Sequence, residues 1–221
     1  MEGYERVWDR FRSERRLEFG GHTDPAWNNG HALSASFMVP VDAAVIRDRL
    51  EPIRDALRPF PFVSLHPDRF LHVTLLLLGF VVPEPGSEKE VSRERLRELE
   101  SGAREALRGF PTFAVELANL NAFPGAVFVE ARDGGMLRRL RDAICEECGI
   151  SSPSGPPHLT IAYVHAPDGS PAPEEFVAVV ERYRDWPLGE IVVEGVELTL
   201  LNLLAAEYPE PETLARIPLE G

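Results

Sequence analysis

The chain has 221 residues, of which 44% are hydrophobic and 27% charged, with a net charge of −13 and a single lysine, Lys89. That length suits one large domain or two small lobes on a shared core, and no apolar window is long enough to span a membrane. The acidic balance argues against tight, sequence-independent binding of long nucleic acid, which needs many cationic contacts to phosphate. It leaves room for a small phosphorylated ligand, because local charge decides that.

The N-terminal stretch "MEGYERVWDRFRSERR" has no apolar core and does not read as a secretory signal, so a cytoplasmic location is expected. Residues 4–18 read as a helix with Val7, Trp8 and Phe11 on one side. A turn-rich linker, "GGHTDPAWNNG", follows. Its His22, Trp27 and His31 are expected to take no catalytic part, and covering of a cleft by this linker is an expectation that no sequence feature shows. Leu33, Ala35, Phe37 and Val39 alternate with smaller residues, as in a strand. Asp42 can cap a helix over about 43–58, with Pro52 as a kink or break. A short strand near 62–65 leads to a longer one, "LHVTLLLLGF" (Leu71–Phe80). His66 lies in the loop between them and is expected at the surface. Arg69 is expected to be solvated.

Beyond "PEPGSEK", Ser87 with Glu90 resembles a capping box for a charged helix to about 108. Two strands, "TFAVELANLNAF" and "GAVFVEA", join through Pro124–Gly125. An amphipathic helix over 134–148 ends in Cys145 and Cys148, just before Gly149. One C-x-x-C that closes a helix reads as two reduced thiols rather than a zinc or redox site. A second strand of the earlier type, "PHLTIAYV" (Pro157–Val164), a helix over "PEEFVAVVERYRDW" and strands in "IVVEGVELTLLNLL" and "TLARIPL" complete the chain. The order is mixed α+β with antiparallel pairing. Strand, helix and H-x-T strand occur over 32–78 and again over 125–163, which suggests two similar lobes. The expected division is residues 1–31 as helix and linker and residues 32–221 as a two-lobed domain.

The chemistry concentrates in the two H-x-T strands. Residues i and i+2 of a strand share a face, so His72 projects with Thr74, and His158 with Thr160. Imidazole can take or give a proton near neutrality, and a threonine hydroxyl can donate to a phosphate oxygen. Either histidine alone reads as a satisfied core residue. Two of six histidines carrying threonine at +2 by chance is an event of roughly 1%, which favours a paired motif. Phe123 is a further aromatic, suited to stacking on a base or to the core.

"LHVTLLLLGF" and "PHLTIAYV" resemble the paired H-x-T signatures of the two-histidine phosphoesterase superfamily, in particular its 2′-5′ RNA ligase and cyclic phosphodiesterase branch. "LANLNAFPGAVFVEA" is similar to that branch between the motifs, and the resemblance covers roughly residues 32–204. It implies a bilobal α+β fold, with two antiparallel sheets and flanking helices around a central cleft that carries both motifs. It implies no metal and no cofactor. The implied activity is opening of a 2′,3′-cyclic phosphate on a nucleotide or short RNA, in some members with joining of RNA ends. His72 and His158 then form the acid–base pair, and Thr74 and Thr160 bind the phosphate. Many members carry arginine five residues after the second motif histidine. Tyr163 stands there, which widens the expected substrates to a cyclic mononucleotide, a cyclic dinucleotide or a short oligonucleotide. Two other classes compete: a module that binds a phosphorylated nucleotide or RNA end in the same cleft without turnover, and a histidine-ligated metallohydrolase. The latter would need further ligands beside the motifs, and "HVTLL" and "HLTIA" contain none.

Overall fold

The computed structural model describes residues 2–204 and 207–220. In chain order the elements are α1 (Glu2–Glu14), β1 (Arg16–Leu17), α2 (Pro25–Asn28), β2 (Leu33–Pro40), α3 (Ala43–Leu57), β3 (Val63–Leu65), β4 (His72–Val81) and β5 (Glu90–Val91). There follow α4 (Arg93–Ala106), β6 (Phe113–Phe123), β7 (Ala126–Arg132), α5 (Met136–Cys148), β8 (His158–Val164), β9 (Ser170–Pro171), α6 (Glu174–Arg182), β10 (Pro187–Val193), β11 (Gly195–Asn202) and β12 (Glu212–Pro218). The protein is α+β, with two antiparallel sheets. The small one is β1 on β9; the large one has ten strands in the order β10-β6-β7-β8-β4-β2-β11-β12, with β3 on β8 and the short β5 parallel to β4. No helix among the described residues is long and apolar enough to cross a membrane.

The two strands that carry the H-x-T pairs lie together in the large sheet. β8 and β4 meet at its centre, β7 and β2 flank them, and β6 and β11 lie next. The repeated strand–helix–strand of the sequence is therefore two lobes, β2-α3-β4 and β7-α5-β8, set edge to edge. β4 meets β8 at Val73 and Leu159, and β3, between α3 and β4, pairs with β8 over Val63–Leu65.

The helices follow their apolar spacing. In α3, Ala43, Ile46, Leu50, Ile53 and Leu57 recur at intervals of three and four and are all buried. Each leucine or isoleucine so buried contributes about 1.5–3 kcal/mol. Asp42 caps α3 by accepting from the Ala44 N–H at 2.9 Å, and Pro52 sits inside the helix without ending it. The expected Ser87–Glu90 capping box does not form. Ser92 is the N-cap of α4, accepting from the Arg95 N–H, while Glu90 pairs with His31 of the linker. α5 ends at Gly149 in the left-handed region (φ 64°), and Cys145 and Cys148 are free thiols.

The first thirty residues are tied to this body. Tyr4, Trp8 and Phe11 of α1 are buried, and α1 packs on β6. The linker then crosses the end of β8, where the Gly20 N–H donates to the Val164 carbonyl at 2.8 Å. Only glycine fits at 20 and 21. A Cβ on Gly20 would meet the Gly125 carbonyl, and one on Gly21, whose φ is +102°, would meet the Tyr163 ring at 2.6 Å.

Candidate active site

Val73 and Leu159 are buried and paired. Their strand neighbours therefore point to the opposite face. His72 and Thr74 flank Val73, and His158 and Thr160 flank Leu159. Each H-x-T pair thus begins beside the one residue pair through which β4 and β8 meet. The His158 imidazole is near enough to His72 for its charge to lower the His72 value further.

The two histidines are held alike. The Nδ1 of His72 is 2.8 Å from the Phe70 carbonyl, and that of His158 is 2.9 Å from the Pro156 carbonyl. A carbonyl only accepts, so both Nδ1 atoms carry hydrogen and both Nε2 lone pairs are left for other work. Burial holds both imidazoles below the ordinary histidine value. His72 goes down to about 4, with the nearby His158 and His22 adding to the effect; for His158, burial is the main cause.

The segments leading to these strands are also held alike, by residues that motif reading did not single out. The guanidinium of Arg54, on α3, donates to the His66 carbonyl at 2.8 Å and to Asp68 at 2.7 Å, fixing the 3₁₀ turn Asp68–Phe70 ahead of His72. Arg141, on α5, donates to the Gly155 carbonyl at 2.9 Å, ahead of His158. Both arginines are buried. Their one sequence signal is a cation on the apolar side of an amphipathic helix. The Tyr4 hydroxyl meets the carbonyl of Pro157 and donates to that of Ala131 at 2.8 Å. Beside His158 on β7, the fully buried Glu130 receives Arg184 at 2.6 Å, Arg132 at 2.7 Å and Asn121 at 3.0 Å.

A cleft of about 280 Å³ opens from the His72 side. β4 lines it with His72, Thr74 and Leu77, β2 with Ser34, Ser36 and Met38, and the linker with Gly21, His22 and Trp27. Tyr163 also lines it; burial pushes its hydroxyl up to about 12. His158 and Thr160 lie outside this lining, next to Phe123 and Phe128, whose rings are 5.2 and 4.8 Å from His158. Phe123 stacks on Phe128 at 4.5 Å. His66, expected at the surface, is instead buried among Phe70, Tyr163 and Tyr208. Pairing of β3 with β8 draws its loop inward, the His66 N–H donating to the Ile161 carbonyl. Arg69 is exposed and bonds the Tyr208 carbonyl, and His165 stacks on Phe19 at 4.7 Å.

Residues 40–203 match the family model of the 2′-5′ RNA ligase superfamily. The chain belongs to the 2′-5′ RNA ligase superfamily. The match holds both H-x-T strands and leaves α1 and the linker outside it. A search of curated proteins returns no match. Among solved structures the superfamily fold recurs in TT0787 of Thermus thermophilus, at 23% identity and a TM-score of 0.59, over 85% of this chain and 98% of that one. It recurs in E. coli LigT in apo form, at 18% identity and a TM-score of 0.62, over 87% and 100%. A structure described as a phosphoesterase matches at 19% identity and a TM-score of 0.62, over 85% and 99%. LigT has also been solved with phosphate and with 3′-AMP.

Proposed function

We propose that the protein is a metal-independent phosphodiesterase that opens 2′,3′-cyclic phosphates on a nucleotide or RNA end. One observation supports the reading most: the strands that carry the two H-x-T pairs meet at Val73 and Leu159, and each motif histidine is held through Nδ1 by the carbonyl two residues upstream. Membership of the 2′-5′ RNA ligase superfamily and a likeness to LigT, solved with 3′-AMP and with phosphate, support it.

In this mechanism Thr74 and Thr160 donate to the non-bridging phosphate oxygens. The neutral histidine takes a proton from water through Nε2 as the water oxygen attacks phosphorus. The bond from phosphorus to the 3′ oxygen breaks, and the protonated histidine gives its Nε2 proton to that oxygen. The product is a 2′-phosphate with a free 3′ hydroxyl, and the two histidines have exchanged protonation states. Each proton transfer is worth typically ~10²–10⁴ in rate. Metal on either Nε2 would block it, so the reaction runs without one.

The test is turnover of a panel of 2′,3′-cyclic nucleotides in excess EDTA. Formation of the 2′-phosphate under chelation supports the reading. Activity lost in EDTA and restored by zinc or manganese would replace it with a metallohydrolase. Tight binding of the cyclic phosphates without turnover would leave a binding module.

A further inference from the structure

The half of the cleft beyond Thr74 has a character of its own. Leu77 lies three residues on, about 10 Å along the strand at ~3.3 Å per residue. It is 49% exposed, in a sheet whose other leucines are mostly buried. Trp27, 36% exposed, stands over the same space with its edge on Phe80 at 5.1 Å. Met38 and Leu201 extend the apolar wall, and the Ser34 and Ser36 side chains supply polar groups at its floor. Trp27 packs against Phe80, yet its indole and Leu77 both leave apolar surface exposed toward one cleft. They suit the flat face of a nucleobase.

Charge narrows the ligand further. Apart from the histidines, no ionisable cation or carboxylate is among the described residues lining the cleft. The positions five residues after each motif histidine are Leu77 and Tyr163, and both line it without a charge. Arg132 and Arg184, on the β6–β7 side, are spent on Glu130. Affinity for a strand of RNA comes largely from cations that neutralise its phosphates. This cleft has none to offer beyond the one phosphate at the histidines. Its volume of about 280 Å³ is also at the small end for a ligand site.

We propose that Trp27 and Leu77 form a nucleobase platform, and that the cleft takes a single nucleoside bearing the cyclic phosphate in preference to the end of a longer strand. The selecting wall comes in part from the linker, outside the residues that match the family. The inference rests on the phosphodiesterase reading for its chemistry, but the platform can be tested without turnover.

The experiment compares adenosine 2′,3′-cyclic phosphate with a ten-nucleotide RNA that ends in the same group, on the full chain. The nucleoside should have the higher kcat/KM by tenfold or more, with little dependence on salt between 50 and 500 mM. Trp27→Ala should raise its KM by about 10- to 100-fold, the range of one lost base stack, and change kcat much less. Trp27→Phe should recover most of the loss. A preference for the RNA, or an unchanged KM in Trp27→Ala, would overturn the proposal. If neither substrate turns over, the phosphodiesterase reading has failed. The platform is then judged by calorimetric binding of adenosine 3′-monophosphate, which Trp27→Ala should weaken by the same factor and which an equal affinity would refute.

Discussion

His72 and His158 each donate Nδ1–H to the carbonyl two residues upstream, that of Phe70 at 2.8 Å and that of Pro156 at 2.9 Å. The two lobes thus present the same tautomer across their junction. A general acid and a general base that trade places during a reaction need this equivalence, because each must use the same nitrogen in both roles. The symmetry extends outward, since Arg54 and Arg141 each pin the segment ahead of a motif from the helix that precedes it.

Replacing either histidine with alanine should lower kcat/KM for a cyclic phosphate by ~10²–10⁴. The double variant should lose much less than the product, because the pair acts as a unit. Thr74→Ala and Thr160→Ala should each cost roughly 1–3 kcal/mol of transition-state stabilisation, as lost hydrogen bonds to a charged oxygen. Steady-state kinetics decide this. Wild-type activity in either histidine variant would leave the repeated motif as packing or binding alone.

The pH dependence should differ between kcat/KM and kcat. The productive form has one imidazole protonated and one neutral, and burial holds both below the ordinary value in the free protein, His72 down to about 4. That form is then scarce at pH 7, so kcat/KM, which reports the free enzyme, should be bell-shaped with an optimum on the acid side. Bound phosphate anion raises both groups, so the kcat optimum should lie nearer neutrality. Coincident profiles would contradict this.

Stability should fall in acid for a related reason. His22, His66, His72 and His158 are all held below 6.5 when folded, with burial as the first cause. Unfolded, they bind protons more readily, so their contribution is complete above about pH 6.5 and is lost as pH falls toward the folded values. For His72 alone the window from 6.5 to about 4 corresponds to roughly 3 kcal/mol. Urea titrations between pH 7.5 and 4.5 should show a steadily lower midpoint, and a flat series would count against it.

Arg54→Met and Arg141→Met keep the apolar stem but remove the hydrogen bonds to the His66 and Gly155 carbonyls. Each should cost about 1–3 kcal/mol of stability. Each should also lower kcat more than it raises KM, because a motif histidine loses its fixed approach. Tyr4→Phe, which removes the hydroxyl between the Ala131 and Pro157 carbonyls, should behave similarly. Chemical denaturation read beside kcat and KM separates the two effects.

Glu130→Ala should be the most damaging of the buried changes. It removes the buried carboxylate that Arg184 and Arg132 share, leaving Arg184 only the exposed Glu5 carboxylate. The expected loss is about 3–5 kcal/mol, or a fall of roughly 6–20 °C in Tm for a chain of this size. Differential scanning calorimetry would show it.

Local pattern determined much of this protein from sequence alone. The spacing of Ile46, Leu50, Ile53 and Leu57 dictates a helix, alternation around Phe37 and Val39 dictates a strand, and the i, i+2 rule puts His72 with Thr74 and His158 with Thr160. These are short-range consequences of backbone geometry. The strand–helix–strand order in each lobe was legible for the same reason. What sequence could not decide was which strands become neighbours. The Val73–Leu159 pair that brings β4 to β8 joins residues far apart in the chain, and both residues are buried in the core. The same holds for His66, whose turn-like surroundings suggested the surface until β3 paired with β8. It holds for Ser92, which caps α4 in place of Ser87 because Glu90 is drawn into β5 and onto His31. It holds for Trp27 and Glu130 as well. Their neighbours come from distant segments, and burial, tautomer and charge at the cleft follow from those neighbours rather than from the residues beside them in sequence.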